Sequence, residues 1–508
     1  MKSIKMIIFL MIFLLIVVGV NFCSFANEKN TLVVTSGTDV QTLDPHQAGD
    51  NNTEDMILAI YEGLVGRGEN GEIIPILATG WEVSEDGKTW TFKLREGVKF
   101  HDNTLFNAAA VKSNIERLLD PKKASPHAGS FSFIKEVEVV NEYEVKIICE
   151  APFGAMLDLL TIANITMMSP TAFQKYNEDY SLHAAGTGAL MLDQWERGIK
   201  FILKRFDDYW GEKPAYEKLE YKTVPEDSTR MMMLKVGETD IIKGVSPLYV
   251  DELRKDENIV VVMKPGPRVI YIGMNQAFEP FNDIRVRRAI QYAVDKDSIV
   301  KNILKGYVNP AIGTASPVIT HAARWLPNIY EYNPEKAKKL LAEAGYEKGF
   351  KTTIFTPEGR YPADRMVAEI VQGQLKEIGI DAQLKVLEWG AYSAAFTKKE
   401  ETRLFLLGSG NPPLDLDYFY QGTFRSGVMR NYLGYSNPEV DRLLDLQRET
   451  VDFIKRGQIL FEIQRILQED AVWLNLFYVN HTFATRANVK GLSIRPNESV
   501  IYKGVYFE

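Results

Sequence analysis

The sequence predicts an α/β fold built in layers. Two observations predict it. Short β runs alternate with helical patterns through the second half of the chain. The 508 residues are 45% hydrophobic and 25% charged, the proportions of an ordinary globular protein. At roughly 100–200 residues per unit, such a chain holds two to four domains.

The first element is a segment to be removed. Lys2 and Lys5 precede an unbroken apolar run from Ile7 to Val20. That run is short for a bilayer span and suits the core of a signal peptide. Ser24 and Ala26 supply the small residues of a cleavage site, so cleavage is expected after Ala26. A lipid anchor on Cys23 is the alternative, and Phe22 just before it fits that pattern poorly. Removing residues 1–26 takes away two lysines and no acid, so the formal charge goes from −8 to −10.

TLVVTSG, closed by Gly37, reads as the first strand. A polar loop, DVQTLDPHQAGD, leads into a helical pattern through ILAIYEGL. Around residue 90 the texture is β: Trp90, Phe92 and Leu94 alternate with Thr91, Lys93 and Arg95, with a turn at Glu96-Gly97. VEVVNEYEVKIIC reads as a hairpin about Asn141-Glu142, ending at Cys149, which is expected to be a buried inert thiol. DIRVRRAIQYAVDKDSIV places Val286, Ala289, Ile290, Ala293 and Val294 on one helical face. Asn333-Pro334-Glu335 is a helix start, with Gly345 as its stop, and Asn437-Pro438-Glu439 repeats the device. KTTIFT and DAQLKVLEW are the strands between these helices.

Several function classes are disfavoured. Two cysteines make no disulfide framework and no four-cysteine zinc site. Net acidity argues against a nucleic-acid surface. Six scattered histidines do not suggest a nickel or other metal site, and no cofactor is implied. There is no GxSxG and no HExxH; Gly87-Lys88-Thr89 lacks the first glycine of a phosphate loop, and Gly186-Thr187-Gly188 lacks the third glycine of a dinucleotide fingerprint. Binding is therefore favoured over catalysis, with an exported hydrolase as the rival from another class.

Beyond composition, a series of motifs carries a resemblance. LATGWEVSEDGKTWTFKLREGVKFHDNTLFNAAAVKSNIERLLDP, from Leu77, is followed in order by GTGALMLDQW, DDYWGEKP, MLKVGETDI, YIGMN, PFNDIRVRRAIQYAVDKD, EKAKKLLAEAGY and YSNPEVDRLL. Together they resemble the extracytoplasmic peptide/nickel-type solute-binding proteins of ABC importers, over essentially the whole mature chain. FNAAAVKSN and the spacing of PRVIYIGMN look similar to the glutathione-binding branch. Where the family has HDG, this chain has His101-Asp102-Asn103; Asn tolerates the left-handed backbone that glycine adopts. His101 is expected to be structural.

The resemblance implies a two-lobed type II periplasmic-binding-protein fold with a β-rich insertion and a ligand cleft. The first lobe would comprise 27–75, 190–267 and 482–508, the insertion 76–189, and the second lobe 268–481. The hinge would lie at Pro265-Gly266-Pro267 and Asn480-His481. The implied ligand is a short peptide, glutathione included, or a nickel or metal chelate in the alternative. The implied partners are ABC permease subunits, and the implied state is monomeric.

A peptide's ammonium calls for a carboxylate and its carboxylate for an arginine. For the first, Asp417 and then Asp415 are expected, with helix capping as the competing role. For the second, Arg268 is expected, with Arg430 and Arg360 as alternatives. Thr42 and Tyr61 are expected contacts from the first lobe, and Asn275 and Trp389 from the second. Gly186-Thr187-Gly188, with Gly188 as the named contact, would supply backbone N–H donors for the carboxylate.

Overall fold

The computed structural model describes residues 30–397, 402–410 and 413–508. The expected cleavage after Ala26 and the anchor on Cys23 fall outside them. No helix among the described residues is long and apolar enough to cross a membrane.

An eleven-stranded sheet runs through the molecule. Thr31–Ser36 lies inside it, parallel to Lys218–Thr223 on one side and to Ile241–Lys243 on the other. The sheet continues outward through Lys200–Arg205 to Leu190–Glu196. At its other end Phe350–Pro357 pairs in parallel with Ile380–Leu387 and with Leu404–Ser409.

Two long antiparallel strands, Ile259–Met274 and Trp473–Arg486, join these halves. The end of Trp473–Arg486 pairs with Ile241–Lys243, and the end of Ile259–Met274 pairs with Leu404–Ser409. The register breaks between Pro265 and Val269, because two prolines within three residues remove ladder donors. Pro265 faces Asn480 and Lys264 faces His481, so the two segments expected to form the hinge lie side by side.

Each half has its own core. Leu32, Val34, Leu203 and Leu219 are fully buried with the helix Asn51–Ile60 on one side of the join. On the other, Ile270, Ile272, Leu404 and Leu406 pack against the helix Ile284–Ala293. That helix buries Val286, Ala289, Ile290 and Ala293 as the spacing predicts; it ends before Val294, which is buried as its C-cap.

A separate four-stranded antiparallel sheet, ordered Ala78–Val83, Thr89–Leu94, Glu144–Cys149, Ile134–Asn141, carries the helix Ala108–Leu119 over a third core. Trp90, Phe92 and Leu94 point into it as the alternation predicts. The hairpin turn is centred on Glu142-Tyr143, one residue later than predicted. Asn141 pairs with Glu144 and its Oδ1 accepts the Tyr143 N–H at 2.9 Å, which makes it the first residue of the turn. Asn103 has φ of 67°, the left-handed conformation expected where the motif usually has glycine. Burial pushes the Cys149 thiol up to about 12, in keeping with an inert role.

Candidate functional site

Four segments converge beside the join between the two halves. The first is the start of the helix Asn51–Ile60. Asp50 caps it, its Oδ1 accepting from Asn52 N at 3.1 Å and Thr53 N at 3.0 Å. That cap sets Glu54 and Asp55 in the first turn. Asp55 is committed: it is paired with Lys243 and accepts from Val500 N at 3.2 Å. Glu54 makes no side-chain hydrogen bond or ion pair with any described residue. Burial, then the nearby Asp55 and Asp50 carboxylates, push it up to about 8, so it is mostly protonated at neutral pH.

The second segment is the C-terminal loop bearing Glu498, and the third is the bulged stretch bearing Arg268. Arg268 Nη2 lies 3.6 Å from Glu498 Oε2, and His481 Nε2 lies 3.5 Å from its Oε1. Burial would raise the Glu498 carboxyl, but His481, Arg268 and Lys243 outweigh burial and hold it below the usual range.

The fourth segment is the loop after Phe350–Pro357. The Asp364 carboxylate accepts from the backbone N–H groups of Gly359, Arg360 and Tyr361 at 2.9–3.1 Å, which fixes this turn and aims Arg360. The Arg360 guanidinium lies over the Trp389 ring at 4.9 Å and the Tyr361 ring at 5.4 Å, and has no carboxylate partner among the described residues. Desolvation, then the neighbouring Arg268, lower its pKa. Trp389, 36% exposed, stacks on Tyr392 and meets Tyr361 edge-on.

The arrangement is a cleft wall with unpaired acid on one side and guanidinium over aromatic rings on the other. It brings together Arg268, Arg360 and Trp389 of the expected residues. Glu54 and Glu498 belong with them and were not anticipated. Glu54 reads in sequence as an ordinary first-turn helix acid, and Glu498 follows the region that carries motifs, so nothing in the chain marks either.

The other expected residues lie elsewhere or are already engaged. Asp417 and Asp415 are each 1% exposed. Asp417 accepts two hydrogen bonds from Arg448, at 3.1 and 2.9 Å, and one from Gln447. Asp415 is held by both terminal nitrogens of Arg456 at 2.6 Å and caps the helix Leu416–Thr423. Both carboxylates are thus paired within the chain, the competing capping role being realised for Asp415.

Asn275 is buried, its side chain spanning Thr402 O and Ala277 N. Tyr61 is fully buried and donates to Leu43 O at 2.8 Å, and Thr42 bonds Ser181. The Gly188 N–H goes to Ile60 O at 2.9 Å, and its carbonyl meets His101 Nε2 at 2.9 Å, so this backbone is spent on packing and His101 is structural. Arg430 is exposed, near Tyr418. Among the described residues no group of three His, Cys, Asp or Glu could hold a metal.

Two lobes joined by paired strands, an inserted β subdomain and a charged cleft define a binding protein of the type II periplasmic class. The comparisons agree. The model of bacterial extracellular solute-binding proteins, family 5, matches residues 72–431, and the chain belongs to that family. It is 32% identical over 484 residues to the glutathione-binding protein GsiB of Escherichia coli, covering 94% of each chain. The periplasmic binding protein DppA of Helicobacter pylori, solved with the peptide STSA, superposes with a TM-score of 0.83 at 30% identity, over 95% of this chain and 98% of that one. NikA of Brucella suis, solved with Fe(III)-EDTA, gives 0.85 at 26% identity, over 94% and 100%.

Proposed function

We propose that the chain captures a short peptide, glutathione among them, between its lobes and delivers it to an ABC importer. The observation that carries this reading is the pairing of an uncommitted carboxyl, Glu54, with the uncommitted guanidinium of Arg360 across from it, Arg268 standing beside. A peptide is a zwitterion: its ammonium is matched by Glu54, and a carboxylate by Arg360. Glutathione has a second carboxylate, which Arg268 would take at the expense of Glu498. The amides between would lie on Trp389 and Tyr361. We assign the ammonium to Glu54 in preference to Asp417 and Asp415, whose oxygens are occupied.

The lobe boundaries proposed are those of the sequence reading: 27–75, 190–267 and 482–508 against 268–481, with the insertion at 76–189. Closure would turn on the bulge at Pro265–Val269 and the facing Asn480-His481. Export with cleavage after Ala26, a monomeric state and permease docking are part of the proposal, and capture rather than chemistry is its task. A metal-chelate reading has one observation in its favour: relatives of this fold were solved with Fe(III)-EDTA and with Ni(L-His). A polycarboxylate chelate would address the same arginines.

Calorimetric titration of the mature protein with glutathione, di- to pentapeptides, Ni²⁺ and Ni(L-His) separates the readings. Saturable binding of glutathione or a peptide, lost when its termini are acetylated and amidated, is expected. A response to the nickel species alone overturns the peptide reading. Conversion of bound peptide to products on prolonged incubation would promote the hydrolase instead.

A further inference from the structure

One pocket among the described residues lies away from the inter-lobe cleft. It is an open pocket of about 730 Å³, a volume that includes the solvent at its mouth. Residues of the first lobe, the insertion and the C-terminal tail line it, and none of 268–481 does. Its walls are aliphatic, formed by Leu58, Ala59, Val65, Ile76, Leu190 and Ile501.

Its polar groups fall into two sets. At one end Glu62 is satisfied: it accepts from Tyr209 OH at 2.7 Å, Trp210 Nε1 at 2.8 Å and Thr187 Oγ1 at 3.0 Å. Lys503 donates to Tyr209 OH at 3.1 Å and closes that network. The second set begins with Arg495, which also lines the pocket. Its guanidinium makes no hydrogen bond or ion pair with any described residue, and its Nε is buried without a partner. The Tyr502 hydroxyl, in a residue that also lines the pocket, is likewise buried and unpartnered.

A buried donor left without an acceptor is costly, and Arg495 Nε and the Tyr502 hydroxyl are two such donors; burial pulls Arg495 down to about 10, opposed by Asp55 and Glu72. Water could satisfy part of this. A single group that meets both a guanidinium fork and a phenol donor, on a chain that covers aliphatic walls, is a carboxylate on a short hydrocarbon.

We infer that the first lobe holds a second site, separate from the inter-lobe cleft, for a small aliphatic carboxylate. Its carboxylate would sit on Arg495 and Tyr502 and its tail on Leu58, Ile76 and Ile501. The inference does not depend on the identity of the cleft ligand, because the two sites share no arginine.

The test is titration of the purified mature protein with sodium pentanoate and, separately, with pentylammonium chloride, followed by NMR and calorimetry with and without glutathione. Pentanoate is expected to bind one site whether or not glutathione is present, and pentylammonium is expected not to bind. Arg495→Gln should weaken pentanoate at least tenfold while leaving the response to glutathione and peptides unchanged. Should that variant fail to fold, the wild-type comparison of anion with cation still decides. No pentanoate binding, meaning water alone fills the space, overturns the inference. So does displacement by glutathione, equal binding of pentylammonium, or an Arg495→Gln protein that binds pentanoate as well as the wild type.

Discussion

Arg268 and Glu498 stand 3.6 Å apart, and they join the bulged strand at one lobe's edge to the C-terminal tail packed on the other. Glu498 is the shared partner of Arg268, Lys243 and the His481 ring: His481 lies 3.5 Å from its other oxygen, with burial lowering the pKa of the imidazole, and Lys243 is close enough to depress the pKa of Glu498. Glu498→Gln would leave those groups facing one another with little solvent access. Removing one partner of a buried ion group costs about 3–5 kcal/mol, and the 17% exposure of Arg268 places this case nearer about 2 kcal/mol. Urea unfolding of the variant should therefore show a lower midpoint at unchanged slope. The same substitution frees Arg268, so a ligand with two carboxylates should bind tighter relative to one with a single carboxylate.

Glu54 gives the site a pH dependence with a definite sign. Its carboxyl is raised to about 8, so the unliganded protein holds it neutral at pH 7. An arriving ammonium favours the ionised form, and binding then releases a proton. Affinity for a free-amine peptide should rise, by up to about tenfold per unit, between about pH 5.5 and 7.5. For stability the sign is opposite. A raised acid contributes stability that is present below its ordinary value of 4.5 and lost as pH rises through about 8. Glu54→Gln should flatten both profiles and weaken free-amine peptides more than tenfold, about 1.4 kcal/mol, with N-acetylated peptides as the control.

The buried acids on the other side behave differently. Arg456 grips Asp415 through both terminal nitrogens, and this pair is nearly inaccessible to water. Burial would raise the Asp415 carboxyl, but Arg456 and the Asp417 N–H outweigh it and keep it below the usual range. Asp415→Asn should cost about 3–5 kcal/mol of stability. The native contribution is present above the ordinary value of 3.8 and is lost as pH falls through the lower folded value. Peptide affinity, measured on folded protein, should be unchanged. The same holds for Asp417→Asn, with a smaller loss because Arg448 is 39% exposed. A tenfold fall in affinity with either variant would restore those residues to the ligand site.

How much of this was legible follows from the range of each interaction. Helix starts at Asn333 and Asn437 and the strand at Trp90–Leu94 rest on spacing within a few residues, and the structure has them where the spacing puts them. The α/β fold came from the same local signals, and the lobed form of it from the order of motifs. The site is not local. Glu54 and Arg360 are some 300 positions apart, and whether a carboxylate is free depends on an arginine elsewhere. Asp417 and Asp415 looked available only because their partners, Arg448 and Arg456, sit on other helices, and no spacing ties them together. The polar groups of Tyr61 and Gly188 are used within the chain, by Leu43 O and Ile60 O, which no local pattern announces.

Gly266 offers the most direct handle on the join between the lobes. A Cβ placed there would meet His481 Nε2 at 2.1 Å, which no side chain tolerates. The ring cannot simply withdraw, because it lies against Glu498 and its strand is paired with Lys264 and Pro265. The carbonyl of Gly266 is also held, accepting from Ser316 Oγ at 2.7 Å. Gly266→Ala must therefore push the two long strands apart or turn His481 away from Glu498. Spreading the strands opens the angle between the lobes, since these strands carry the connection, whereas turning the ring away gives up its contact with Glu498. Small-angle scattering should report a larger radius of gyration for the unliganded variant and incomplete compaction with saturating glutathione. The ligand-binding loss should lie between about fivefold and thirtyfold, the cost of about 1–2 kcal/mol of strain paid on closure. A second variant, Gly266→Ala with His481→Ala, removes the obstructing ring and should recover compaction; if it does not, the close approach at Gly266 has no part in closure.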